Sequence, residues 1–278
     1  EKLSLLSTHH HAVPRLNMGE FYIGTEGARG FVGRDDEHYS TVFPQPIGMA
    51  STFDTELMSE LGEIAGNECR AYYNEKKTSN LCVWGPTVDM ERDPRWGRTE
   101  EAYGEDVFLA GEMTAAYTKS MAADNGTYLK TIPTLKHFCA NNNELHRSSC
   151  NSVVPLRLKY EYYYAAFRNA IVNGGAKSIM TAYNEVNGIP ALCNPEVQSI
   201  LKDKWGLWFA VTDGEDFSQT VKAHKYCSSY SEALADAIKA GCDTMTDLDS
   251  TVHVAAEKAL EKGLLTEEEI DASLRNTL

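Results

Sequence analysis

The run Trp208-Phe209-Ala210-Val211-Thr212-Asp213-Gly214-Glu215-Asp216 passes from apolar to acidic within a few residues. Phe209 to Val211 suit a short buried strand that Gly214 ends, which puts Asp213 at the strand's C-terminal tip. In parallel α/β barrels that tip carries the chemistry, because the βα loops form one open face above a packed core. An ionised carboxylate there can serve as nucleophile, base or metal ligand; an Asp ahead of a helix can equally be an N-cap. Other polar residues follow other apolar segments. Glu26 follows residues 21–24, Lys136 and His137 follow 132–135, and Tyr183 follows 178–182. Arg95 and Arg98 fall in the loop after residues 81–84. If the strands are parallel, these groups share one rim. A carboxylate, several cations, an imidazole and a phenol suit a polyhydroxylated ligand, whose hydroxyls want paired hydrogen bonds. Phosphate is a rival ligand, but no Gly-rich phosphate loop is present, and Gly24, Gly27 and Gly30 suit turns. Lys136 could also form a Schiff base, which leaves a lyase as a further reading.

His9-His10-His11 invites a metal reading. Three consecutive residues of a regular element cannot all point at one ion, so no metal site is expected, and no cofactor. Trp96, in a loop, is the tryptophan expected near the site, while Tyr160, Tyr162, Tyr163 and Tyr164 are expected to form an inward helix face.

With 278 residues, 42% hydrophobic and 24% charged, the chain can bury a large core. A formal charge of −14 disfavours nucleic acid and anionic membrane as partners and is compatible with a neutral ligand. No apolar run approaches the roughly 20 residues of a membrane span. The seven cysteines are dispersed without a CxxC pair, which suggests reduced thiols and a cytoplasmic setting. A chain that starts at Glu1 leaves open a removed leader and secretion.

Strand-like and helix-like segments alternate. Helices are expected near residues 54–73, 107–122, 158–171, 196–204 and 232–240, followed by two more. Strands are expected at 21–24, 81–84, 132–135, 178–182, 209–211 and 242–245. Strands separated by helix-length segments must pair in parallel, because each crossover returns over the sheet. The pattern predicts an α/β fold of about six βα units, either an irregular barrel or a doubly wound sheet. One domain over 1–278 is expected, with residues 1–20 as its N-terminal extension.

Arg92-Asp93-Pro94-Arg95-Trp96-Gly97-Arg98-Thr99-Glu100-Glu101-Ala102-Tyr103-Gly104-Glu105-Asp106 resembles the signature loop of the family 3 glycoside hydrolases. Further segments agree in order. They are Thr25-Glu26-Gly27-Ala28-Arg29-Gly30, Lys136-His137-Phe138 with Asn141, Glu144 and Arg147, Met180 to Gly188, Val211-Thr212-Asp213, and Gly263 to Asp271. The resemblance implies a (β/α)8 TIM-like barrel, often irregular. It implies a retaining exo-acting β-glycosidase that takes an oligosaccharide or aryl β-glycoside, with β-glucosidase ahead of β-xylosidase. On it Asp213 stands at the nucleophile position and Glu26 at an acidic residue, usually Asp, that binds the terminal sugar. Arg98, Lys136 and His137 grip neighbouring hydroxyls, with Arg147, Met180 and Tyr183 also in the pocket.

Three features depart from the family pattern. The nucleophile segment reads Thr-Asp-Gly in place of Ser-Asp-Trp or Ser-Asp-Cys, Glu26 is one methylene longer than Asp, and no Gly-rich, His-containing loop follows Phe138. The last disfavours the N-acetylglucosaminidase branch. In most of the family the acid/base glutamate belongs to a second α/β domain after the barrel, which this sequence does not include. The donor is therefore expected from such a domain, from another chain, or from a local carboxylate such as Glu215. Without a donor, a sugar-binding barrel with no turnover is the alternative.

Overall fold

The computed structural model describes residues 1–33, 39–76 and 80–278. Its contacts divide the chain into two compact units: residues 23–144 with 155–179, and residues 1–22 with 145–154 and 180–278. The dividing line falls inside the strand Ser178–Thr181.

In the first unit the strands Thr25–Glu26, Cys82–Thr87 and Ile132–Phe138 pair in parallel. Cys82 aligns with Ile132, and the register shifts between Trp84 and Thr87. The strands are longer than the apolar runs suggest, because Gly85, Pro86 and Thr87 continue one and Lys136, His137 and Phe138 the other. The peptides Lys136–His137 and Phe138–Cys139 are cis.

Two long helices cover this sheet. Asp54 caps the helix Thr55–Asn74 by accepting the backbone N–H groups of Glu56 and Leu57. It crosses the helix Val107–Ala122 at backbone contact distance: a Cβ added at Gly62 would lie 2.3 Å from the Tyr117 carbonyl oxygen. Only glycine permits that approach. The helix expected over 158–171 comes in three pieces, Leu156–Leu158, a π-helical turn Lys159–Tyr163 and Tyr164–Val172. Tyr163 and Tyr164 are buried, but Tyr160 is 39% exposed, so the inward tyrosine face is narrower than the sequence suggests.

The second unit is built on Phe209–Thr212, which bridges in parallel through Val211 to Thr244, while Ser7 bridges in parallel to Met245. The strand expected at 242–245 is thus reduced to isolated bridges. Residues 21–24 do not form the expected parallel strand either. Phe21–Tyr22 pairs antiparallel with His9–His10, and the parallel strand that follows contains Glu26 itself. A small sheet joins Asn151–Ser152, Glu185–Val186 and Ile189–Pro190. The helices Tyr230–Ala240, Asp249–Glu261 and Glu267–Thr277 complete the unit, the last opened by a Thr266/Glu269 capping box. The α/β class with parallel strands and covering helices is as expected. No pairing among the described residues closes the strands into a ring. No described helix is long and apolar enough to cross a membrane.

Candidate functional site

In the first unit, Glu26, Arg98, Lys136 and His137 come together. The Lys136 ammonium lies 3.0 Å from Glu26 Oε2, with the Lys136 side chain 5% exposed and that of Glu26 40% exposed. A buried ammonium needs such a partner, since leaving the charge unpaired costs several kcal/mol. Glu26 is fixed in turn by the turn that follows it. The buried Tyr117 hydroxyl donates to the Gly27 carbonyl and accepts the Gly30 N–H. Beside this pair a cavity of about 300 Å³ is lined by Glu26, Arg29, Gln45, Arg98, Glu101 and Lys136.

His137 is buried beside Asp89, which the sequence reading did not single out. Asp89 Oδ2 lies 3.0 Å from the His137 backbone nitrogen, which donates to it, and 2.8 Å from Nδ1. On the far side of the ring, an Arg98 guanidinium nitrogen lies 3.3 Å from Nε2. Guanidinium can only donate, so Nε2 must accept and the proton sits on Nδ1, facing Asp89. The tautomer of His137 is thereby set by its two neighbours. Burial pushes the Asp89 carboxyl well above the ordinary range, opposed by the His137 backbone N–H and by Arg98. Burial also works against the Arg98 charge, but the hydrogen bonds and charge of Glu101 outweigh it and raise its pKa. Trp96 is buried, and its indole N–H donates to Glu144 at 3.0 Å.

The second unit holds Arg147, Met180, Tyr183 and Asp213. Asp213 is half-buried just beyond the strand Phe209–Thr212, and its Oδ1 accepts the N–H of Gly214 at 2.7 Å. The Tyr183 hydroxyl donates to the Gly214 carbonyl at 2.6 Å, and the Arg147 guanidinium sits 4.3 Å from the centre of the Tyr183 ring. Burial, then the neighbouring Asp213 charge, pushes the Tyr183 phenol upward, with Arg147 opposing, so Tyr183 stays a neutral donor. His224 Nε2 lies 2.8 Å from the Tyr183 carbonyl oxygen and supports the same turn. A Cβ at Gly214 would lie 3.6 Å from the Tyr183 hydroxyl, an ordinary contact, so the turn does not itself demand glycine. Of the two neighbouring carboxylates, Glu215 is exposed and Asp216 is wholly buried, with neither oxygen hydrogen-bonded. Met180 is buried in its strand.

Larger cavities open elsewhere. One of about 470 Å³ lies among Glu1, Lys2, Leu5, Arg15, Asp271 and Arg275, where Lys2 pairs with Asp271 and Arg15 with Glu1 near the surface. Another buried ion pair, Lys202–Asp243 at 2.6 Å, has its carboxylate also taken up by the Ala210 N–H and the Asn276 amide, a structural tie. The site is therefore assigned by the chemistry of the groups gathered at it and not by cavity size.

The profile of the Glycosyl hydrolase family 3 N terminal domain matches residues 17–278. The chain belongs to this glycosyl hydrolase family. It is 33% identical to Beta-D-xylosidase 1 of Arabidopsis thaliana, over 100% of this chain and 37% of that protein. It is 31% identical to the Xylan 1,4-beta-xylosidase of Xylanibacter ruminicola, over 98% of this chain and 33% of that protein. The chain thus spans about a third of the length of these relatives. Among solved structures, a GH3 exo-β-xylosidase in complex with a xylobiose aziridine activity-based probe superposes with a TM-score of 0.92 at 26% identity, over 99% of this chain and 37% of that one. A β-glucosidase from Kluyveromyces marxianus superposes at 0.82 and 30% identity, over 99% of this chain and 32% of that one. The α/β fold of this family 3 chain is therefore that of solved family 3 glycosidases.

Proposed function

We propose that this chain is the nucleophile-bearing and sugar-binding part of a retaining exo-β-glycosidase that prefers terminal β-xylosides. The observation that carries the reading is the buried Lys136 ammonium paired with the part-exposed Glu26 carboxylate, flanked by Arg98 and a tautomer-locked His137. Such a set presents fixed donors and one acceptor carboxylate to adjacent sugar hydroxyls at little cost in ordering. Asp213, its carboxylate oriented by the Gly214 N–H, attacks the anomeric carbon as the leaving oxygen is protonated, giving a glycosyl ester. Water then attacks the same carbon, giving its proton to the conjugate base of that donor, and Asp213 departs as carboxylate. Retention needs the donor carboxyl about 5–5.5 Å from the nucleophile. Glu215 is exposed and Asp216 buried, so neither suits that task, and we assign the donor to a second α/β domain.

The sequence reading ranks glucosidase ahead of xylosidase; the likeness to the xylosidases named above supports the opposite order. Glu26 gives this a physical basis. Its extra methylene takes space beside the sugar, and xylose lacks the hydroxymethyl group that glucose must accommodate. The test is the ratio of kcat/KM for aryl β-xyloside and β-glucoside in the full-length protein, before and after Glu26→Asp. Xyloside preference that falls in the variant supports the reading. A glucoside preference in the parent overturns it.

A further inference from the structure

The His9-His10-His11 run does not act as one unit. His9 begins a strand paired with Phe21–Tyr22, and alternation sends His10 into the core while His9 and His11 share the other face. On that face both rings meet Asp249, the first residue of the helix Asp249–Glu261. His9 Nδ1 lies 2.8 Å and His11 Nε2 3.0 Å from the same atom, Asp249 Oδ2. The ring centres of His9 and His11 are 4.2 Å apart, and His9 stacks on Tyr22 at 4.3 Å, which fixes its plane. The second nitrogen of His9, Nε2, faces Glu20 Oε1 at 3.2 Å, off the line of a hydrogen bond.

The proton count is awkward without a cation. A neutral imidazole carries one N–H. If the His9 proton faces Glu20, its Nδ1 lone pair confronts a carboxylate oxygen; if it faces Asp249, the Nε2 lone pair confronts Glu20. A second proton on His9 removes the conflict at that ring; a divalent ion on the Asp249 side removes it for both rings at once, because it takes the lone pairs of His9 Nδ1 and His11 Nε2 and leaves the His9 N–H for Glu20. A carboxylate behind a ligating histidine is the usual arrangement in metal sites. Tetrahedral bonds of about 2.0–2.2 Å separate donor atoms by about 3.3–3.6 Å. Against 2.8 and 3.0 Å here, a spread of roughly 0.3–0.8 Å admits the ion.

We propose that His9, His11 and Asp249 bind one divalent transition-metal ion of the Zn²⁺ type, with Glu20 orienting His9 and water in the fourth position. Two imidazoles and a carboxylate favour zinc over calcium or magnesium, which prefer all-oxygen shells. The ion would clamp the N-terminal hairpin to the helix Asp249–Glu261.

The test is titration of the chelator-stripped, untagged full-length protein with Zn²⁺ at neutral pH, by calorimetry and by thermal unfolding. One equivalent should bind and raise the unfolding temperature. His11→Gln and Asp249→Asn should each weaken that binding by about 100-fold or more, and Glu20→Gln by about 10–100-fold. Glu257→Gln, exposed and about 12 Å further along the same helix, should bind as the parent does. Glu20→Gln, outside the donor set, keeps the test decisive if a ligand variant fails to fold. No zinc-dependent equivalent, or one retained in all three site variants, would overturn the proposal and leave a hydrogen-bonded His–Asp cluster.

Discussion

Replacing Glu26 by Gln should be felt in two separate measurements. The Lys136 side chain is 5% exposed and its carboxylate partner 40% exposed, at 3.0 Å. Breaking a fully buried pair costs about 3–5 kcal/mol, because one charge is left without its counterion. Here water reaches Glu26, which screens the interaction, so about 2 kcal/mol is the expected loss. For a folded unit of this size that lowers the unfolding temperature by about 4–8 °C. The same carboxylate is assigned two sugar hydroxyls, and a hydrogen bond to a charged group contributes about 1.5–3 kcal/mol. The inhibition constant of xylose should therefore rise about tenfold or more. Calorimetric unfolding and product inhibition of aryl-xyloside hydrolysis read the two effects independently. The double variant Glu26→Gln/Lys136→Met removes the orphaned charge, so it should recover stability but not xylose affinity. An unchanged unfolding temperature would show that the ion pair contributes nothing, and unchanged inhibition would remove Glu26 from the sugar site.

Three further outcomes follow from the same geometry. Asp89→Asn can present an amide N–H to His137 Nδ1 and so release its tautomer; kcat/KM should fall about tenfold with a changed pH profile, and an unaltered profile would deny Asp89 its positioning role. Tyr183→Phe loses the bond to the Gly214 carbonyl, a contribution of about 0.5–1.5 kcal/mol, so kcat should fall about two- to tenfold, and parental kcat would mean the ring beneath Arg147 suffices. Burial, reinforced by Asp213 and Asp247, raises the Asp216 carboxyl well above its ordinary value. Such a group binds its proton more tightly in the folded state. Its contribution is complete below an unfolded pKa of about 3.9 and is lost as pH rises through the folded one. Asp216→Asn should therefore flatten the decline of stability toward alkaline pH in denaturant titrations; an identical slope in parent and variant would contradict this.

The helices and most strand positions were legible because their apolar periodicity is strong: 107–122 is found as read, and 54–73 shifts by one residue with Asp54 as its cap. Residues 21–24 were misread because Phe21-Tyr22-Ile23 satisfies a strand pattern equally well in an antiparallel hairpin, and no local signal separates the two. Asp89 was overlooked for a related reason. The strand was read as ending at Trp84, whereas it continues through Gly85 and Pro86, residues of poor strand propensity, to Thr87. Read to its true end, it places Asp89 just past the tip, the pattern that singled out Asp213. The pairing of His9 and His11 with Asp249 spans 240 residues of sequence in one case and 238 in the other, beyond any local pattern. The grouping of Glu26, Arg98, Lys136 and His137 was legible because each lies at or beyond the C-terminal end of an apolar run, although Glu26, Lys136 and His137 prove to be strand residues themselves and only Arg98 a loop residue.

The role of Asp213 is tested most directly by covalent trapping in the full-length protein. A 2-deoxy-2-fluoro β-xyloside with a dinitrophenyl leaving group needs little acid assistance to form the glycosyl ester, and the fluorine slows its hydrolysis. Mass spectrometry of the digested adduct should place one fluoroxylosyl group on Asp213, with none on the Asp213→Asn variant. Label on Glu215, on Asp216 or outside residues 1–278 would contradict the assignment of the nucleophile to this turn.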